Sequence, residues 1–170
     1  EFANPLVKVT IVPRGKALGA AWYLPEERQL TTKEQMLDEM CSLLGGRAAE
    51  EVCFGKVSTG ALNDLERATK MAYAMVVYYG MSDKLKNISF YDSTQADYSF
   101  TKPYSDNTAE IIDQEMQSIV SEQYERAKSI IATNREKHQE LANLLVENEV
   151  IFTEDVERIF GKRPWVSRMD

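Results

Sequence analysis

Residues 31–52, TTKEQMLDEMCSLLGGRAAEEV, decide the fold class of this 170-residue chain. Their apolar side chains recur at every third or fourth position, which is typical of one face of a helix: Met36, Leu37, Met40, Leu43 and Leu44. Thr31 with Glu34 three residues later forms a capping box, which predicts that the helix begins there. Gly45-Gly46 leaves two alternatives, a helix that continues through a close-packed glycine pair or a break between two helices.

The same periodicity predicts further helices downstream. One is expected over about residues 63–79, with Gly80 as its C-terminal stop. A long helix over roughly 107–132 precedes another that ends near residue 148. A final short helix is expected to be capped by Thr153 and to end at Gly161, with acidic residues in its first turn.

The remaining segments are predicted to be non-helical. Residues 6–24 alternate between apolar and polar positions around a Pro13-Arg14-Gly15 turn, which predicts a small β-hairpin. Residues 54–60 and 81–107 have loop composition, and the second contains a short extended stretch at 88–91. The sequence therefore predicts a mainly α domain with a small N-terminal β-hairpin.

The composition excludes several classes of protein. Hydrophobic residues at 44% and charged residues at 28% are typical of a globular domain. A net charge of −7 repels phosphate backbones, so we expect no nucleic-acid partner. The apolar runs are too short to span a bilayer. Because the chain begins at Glu1 without an initiator Met, we expect it to be an excised piece of a longer protein.

The cysteines and the histidine limit the possible chemistry. Cys41 and Cys53 lack metal-site spacing, so we interpret them as small buried hydrophobes in a reducing compartment rather than as a disulfide. His138 is the only histidine, so a zinc site with two imidazoles cannot be built from this chain. Glycine-rich phosphate loops do not occur in the sequence either.

Residues 59–64, TGALND, place a carboxylate, Asp64, in the first turn of a predicted helix. The simplest interpretation is that Asn63 or Asp64 caps the helix or favours its dipole. The alternative interpretation is a functional carboxylate. Composition alone does not decide between the two.

Residues 45–51, GGRAAEE, are a second candidate. Arg47 can pair with Glu50 or Glu51 at helical spacing, and the two glycines permit close backbone approach. A solvated charged face beyond a helix junction is the structural alternative.

Five blocks, taken in order, resemble the FtsH family of membrane-anchored, ATP-dependent AAA+ zinc metalloproteases. The blocks are 13–15 with 17–19, then 24–25, 45–51, 58–64 and 105–115. The similarity extends over about residues 4–160.

The resemblance implies a helical FtsH-type peptidase domain, of which residues 1–162 would be the C-terminal part and 163–170 a tail. It implies that Asp64 is the third protein ligand of a catalytic Zn²⁺ and that Glu50 lies close to the metal site. It also implies protein substrates, a homo-hexameric ring, and an ATPase domain that binds ATP and Mg²⁺ outside this chain. The domain would lie on the cytoplasmic, matrix or stromal side of the membrane that anchors the parent protein.

The sequence departs from the family in one respect, because it contains no HExxH motif. That motif supplies two histidine ligands and the glutamate general base, and we expect it upstream of Glu1. His138 lies in the wrong predicted helix to replace these ligands. We therefore expect no catalytic residue in this chain, and we predict that it is inactive alone.

Residues 8–24 could also offer a strand edge to an extended peptide, with Val9 and Ile11 as the candidate residues. Two functional alternatives remain. One is a protease-dead domain that serves only the structure and oligomerisation of an FtsH-like ring. The other is an independent helical interaction module.

Overall fold

A computed structural model describes residues 1–15, 17–25, 30–91, 93 and 102–165. The helices are α1 (Lys33–Phe54), α2 (Leu62–Tyr73), α3 (Asp106–Thr133), α4 (Arg135–Asn148) and α5 (Thr153–Phe160). The strands are β1 (Leu6–Thr10), β2 (Ala20–Tyr23) and β3 (Val150–Phe152). A 3-10 turn (Thr59–Ala61) precedes α2, and a π-helix (Ala74–Tyr78) follows it. The mainly α prediction is confirmed.

The chain divides into two compact units. The sheet unit comprises Glu1–Leu30 and Ile130–Asp170, and the helical unit comprises Thr31–Ser129. No helix in the described part of the chain is both long enough and apolar enough to cross a membrane.

The sheet unit contains the predicted hairpin and a third strand that the sequence did not predict. The strand order is β2-β1-β3, with both pairings antiparallel, so β1 is the central strand. Val9 pairs with Ala21 on one side and with Ile151 on the other. Ile151 is fully buried, and burial of its apolar side chain stabilises the packing of this short strand.

Helix α5 includes Thr153 as its first residue, so the expectation that Thr153 caps the helix is wrong by one position. The Thr153 hydroxyl donates instead to the carbonyl oxygen of Leu6, at 2.8 Å. The backbone N–H of Phe152 is bound by the Asp155 carboxylate at 3.1 Å. The threonine therefore joins the helix to β1, and the aspartate closes the first turn.

Helix α1 begins one residue later than the sequence predicted. The capping box is formed by Thr32 and Gln35, whose backbone N–H groups each bond to the other side chain, at 2.8 and 3.3 Å. The assignment to Thr31 and Glu34 is therefore wrong by one position. The helix continues through Gly45-Gly46, although a Cβ at either glycine would meet nothing within 4 Å, so the pair is not closely packed.

The core of the helical unit joins α1, α2 and α3. One face of α1 packs against α2 through a cluster of buried side chains: Met36, Met40, Leu44, Ala68, Ala72 and Met75. Met116, Ile119, Val120 and Tyr124 from α3 cover this cluster. Burial of each large apolar side chain stabilises the fold by about 1.5–3 kcal/mol.

The π-helix changes the hydrogen-bond pattern before the chain turns. The N–H of Tyr79 bonds to the carbonyl of Ala74 at 2.9 Å, and the N–H of Met81 bonds to that of Met75 at 2.8 Å. Gly80 has φ +57°, which confirms it as the stop. A side chain at Gly80 would lie 2.9 Å from the backbone N and O of Ile88.

Both cysteines are free thiols, as predicted. Cys41 is buried and Cys53 is half-buried. Burial raises the pKa of the Cys41 thiol, and the nearby Arg126 guanidinium opposes that rise. Arg126 forms an ion pair with the buried Asp38 carboxylate at 2.6 Å, which joins α3 to α1.

Candidate functional site

The loop between α1 and α2 is held by Glu50, which lies on α1. Its Oε2 accepts a hydrogen bond from the Ser58 N–H at 3.0 Å, and its Oε1 accepts one from the Ser58 hydroxyl. The Ser58 Oγ in turn accepts from the N–H of Gly60 at 3.2 Å. Glu50 therefore fixes the residue that caps the 3-10 turn, and this turn leads directly into α2.

Hydrogen bonding keeps the Glu50 carboxylate charged. The Ser58 hydroxyl lowers the pKa of Glu50, with smaller contributions from the Ser58 N–H and the charge of Arg47. An ionised Glu50 is the form that accepts both bonds from Ser58, so the loop geometry depends on this charge.

Asp64 lies in the first turn of α2 and is half-buried. The N-cap position of α2 is Ala61, and no side chain caps it, so neither Asn63 nor Asp64 is the cap. Among the described residues, no hydrogen bond or ion pair involves the Asp64 carboxylate. At this position the negative charge of the carboxylate interacts favourably with the positive end of the helix dipole. The carboxylate oxygens are available for another ligand.

Glu51 lies beside Glu50 in the chain but contacts a different element. Its carboxylate accepts a hydrogen bond from the Tyr124 hydroxyl and one from Lys128 Nζ at 3.4 Å, both on α3. The Tyr124 bond lowers the pKa of Glu51, and burial with this bond raises the pKa of Tyr124.

The expected pairing of Arg47 with Glu50 or Glu51 is therefore replaced by other contacts. Ser58 binds Glu50, and α3 binds Glu51. Arg47 Nε is buried and has no hydrogen-bond partner among the described residues. Its charge still lowers the pKa of Glu50.

A complete zinc centre needs three protein ligands. Nowhere in the described ranges do three His, Cys, Asp or Glu side chains come together with metal-binding geometry. His138 lies on α4 in the sheet unit, whereas Asp64 belongs to the helical unit. The described side chains therefore do not fit a whole zinc centre, and the Asp64 carboxylate has the chemistry of one oxygen ligand only.

The structure corrects the expected strand edge. Val9 is paired on both sides within the central strand, and the N–H of Ile11 bonds to the carbonyl of Glu149 at 3.0 Å. Neither residue can therefore pair with an added peptide. Within residues 8–24, the outer strand of the described sheet is β2.

Ser58 is the site residue that the sequence did not single out. Helix α1 ends at Phe54, before Ser58, so helical periodicity could not connect the serine with Glu50. The local signal was Ser58 two residues before Gly60, a spacing that is typical of a hydroxyl-capped turn.

Comparison with known proteins identifies the family of the chain. Peptidase family M41 matches residues 1–159. The chain is 70% identical over 168 residues to the ATP-dependent zinc metalloprotease FtsH of Parabacteroides distasonis, covering 99% of this chain and 25% of the relative. It is 55% identical to FtsH of Karelsulcia muelleri, covering 91% of this chain and 25% of the relative.

A mouse relative extends the similarity to mitochondria. The chain is 45% identical to the mitochondrial inner membrane m-AAA protease component AFG3L2 of Mus musculus, covering 99% of this chain and 21% of the relative. The chain thus spans about a quarter of the length of these relatives or less. By the extent of these matches, the chain belongs to peptidase family M41, with the FtsH zinc metalloproteases.

Proposed function

We propose that this chain contributes one zinc ligand, Asp64, to an ATP-dependent zinc metalloendopeptidase. The observation that carries this proposal is a half-buried carboxylate without a partner among the described residues, at the start of a helix whose preceding turn is fixed by Glu50 and Ser58. A carboxylate that only served the dipole would need no such support.

The other ligands would come from an HExxH helix outside this chain. Zinc held by two imidazoles and a carboxylate keeps one position for water and lowers the pKa of that water towards neutrality. Asp64 would supply one oxygen ligand, and Glu50 would hold the turn that directs it. Because this chain has neither the two histidines nor the glutamate base, we propose that it does not cut peptides alone.

The whole protein would be a membrane-anchored homo-hexamer that degrades unfolded or membrane proteins. Its ATPase domain would bind ATP and Mg²⁺, and this domain would face the cytoplasm, matrix or stroma. The names of the relatives support the coupling to ATP and, for AFG3L2, the inner-membrane location.

The test replaces Asp64 with Asn in the full-length protein and uses Glu66→Gln on the same helix as the control. We expect D64N to lose bound zinc and at least about a hundredfold of proteolysis, with ATP hydrolysis and melting temperature retained. E66Q should behave as wild type, because Glu66 forms only an exposed pair with Lys70.

Retained zinc and proteolysis in D64N would contradict the ligand role. Loss of folding would instead show that Asp64 stabilises the helix start. A wild-type protein without any protease activity would favour the alternative, a structural domain of an FtsH-like ring.

The outer strand β2 is the proposed site for an extended substrate. Strand β2 pairs with β1 on one side, and the N–H of Leu24 bonds to the carbonyl of Pro5, so strand alternation turns the N–H of Ala21 away from β1. In the full-length protein, A21P should weaken peptide cleavage more than ATP hydrolysis. Equal cleavage by A21P and wild type would exclude pairing at this edge.

A further inference from the structure

Arg163 binds the beginning of the chain from the far end of the sequence. Its Nη2 donates to the carbonyl oxygens of Glu1 and Ala3, at 2.9 and 2.6 Å. The expected domain boundary after residue 162 would put Arg163 in a tail. Its contacts instead make it part of the sheet unit's structure.

A second contact holds the same N-terminal segment. The Thr153 hydroxyl lies 2.8 Å from the carbonyl oxygen of Leu6 and 3.3 Å from that of Val7. Residues 1–7 are thus bound near both ends, by Arg163 beyond α5 and by Thr153, the first residue of α5. The chain turns at Gly161, after α5 and before Arg163. Gly161 has φ +89°, a backbone conformation that glycine adopts without strain.

From these contacts we infer that Arg163 is a positioning residue, which fixes the path of the polypeptide as it enters β1. This inference rests on the proposed function, in which an HExxH helix outside this chain supplies the other zinc ligands, and on the expectation that this helix lies upstream of Glu1. The contacts at Glu1 and Ala3 would then fix the direction of the polypeptide that leads from that helix into β1.

An arginine suits this role because one planar NH₂ group can donate to two carbonyls in a defined direction. Arg163 is exposed, so the two hydrogen bonds add little to the free energy of unfolding. Their effect would be on geometry, and a metal site loses function when its supporting contacts loosen.

The experiment uses the full-length protein with R163Q, R163K and the control R158Q. Arg158 is an exposed arginine of α5 that pairs only with Asp155 in the described contacts, three residues earlier. For R163Q we expect zinc, measured by competition with a chelator, to bind about tenfold more weakly and kcat to fall by a similar factor. KM and ATP hydrolysis should stay unchanged, and R163K should recover most of the loss because its ammonium can donate to both carbonyls.

Equal zinc affinity and kcat in R163Q and R158Q would overturn the inference. A kcat that falls only in proportion to the folded fraction, with unchanged zinc affinity, would also overturn it, because that result indicates a merely structural role. If R163Q does not fold, R163M decides by the same two measurements, because it keeps an apolar stem and loses both hydrogen bonds. A D64N variant that still cuts substrate would refute the proposed function itself, and the Arg163 comparison distinguishes that failure from this one.

Discussion

At the scale of single residues, the bond between Glu50 and Ser58 couples a charge to a loop. Replacing Ser58 with Ala removes the hydroxyl bond, which is the largest of the three interactions that lower the pKa of Glu50, so we expect this pKa to rise. An NMR titration of the Glu50 side-chain carboxyl would measure the change. Glu66 should keep its pKa in S58A, because Lys70 is what lowers it.

The sign of the pH dependence follows from the same bond. A carboxyl whose pKa is lowered by folding stabilises the protein above the ordinary glutamate pKa, and this contribution is lost as the pH falls through the lowered value. Wild type should therefore lose more stability than S58A on acidification over that range. An unchanged Glu50 titration in S58A would show that the hydroxyl bond is not formed in solution.

The ion pair between Asp38 and Arg126 is the second residue-scale prediction. Replacing Arg126 with Met removes the cation beside a buried carboxylate, so we expect the free energy of unfolding to fall by about 2 kcal/mol. Urea denaturation of the purified protein would measure this loss. The control R67M breaks the exposed pair with Glu39 and should cost no more than about 0.5 kcal/mol. Equal losses in the two variants would mean that burial of Asp38 does not raise the free-energy cost of breaking its ion pair.

The candidate site was only partly predictable at this scale. Asp64 could be singled out, since its block resembles a known family and a carboxylate has defined metal chemistry. The Glu50–Ser58 bond could not, because it depends on how the loop folds back onto α1. The Arg47 pairing was wrong because helical spacing permits an ion pair, whereas competing partners in space decide whether it forms.

At the scale of elements, Gly80 limits what can follow the π-helix. Its positive φ strains any L side chain, and a Cβ would meet the backbone of Ile88 and Asn87 at 2.9–3.0 Å. We expect Gly80→Ala to destabilise the protein by about 2 kcal/mol or more in thermal or urea denaturation. The control Gly46→Ala should stabilise it by about 0.5–1 kcal/mol, since its Cβ meets nothing within 4 Å in a helix. A neutral G80A would show that this turn rearranges freely.

The helices were easier to predict from the sequence than the helix start and the third strand. The helices of the core were predictable from their apolar period. The capping box was displaced because Thr31 and Thr32 each precede a suitable residue by three positions, and local sequence cannot rank them. Strand β3 was missed because three residues between two helices carry no period, and its pairing with β1 depends on contacts across the chain.

At the scale of the whole molecule, the two units differ in their cores. Ile151 and Ile159 are the buried apolar side chains of the sheet unit among the described residues, and the other buried apolar side chains lie in the helical unit. We expect amides of β1 and β3 to exchange with deuterium at least about tenfold faster than those of the buried face of α1. Exchange followed by mass spectrometry would measure this, and equal protection of the two units would contradict it.

The central position of β1 has a consequence for synthesis. Thr10 and Glu149, which bond to each other, are 139 positions apart in the chain. At ordinary rates of translation, on the order of ten seconds pass between the emergence of one and of the other. During that time β1 can pair with β2 alone, and its second edge is open to other chains. A nascent polypeptide at this stage therefore carries an unpaired strand edge that the folded protein covers with β3.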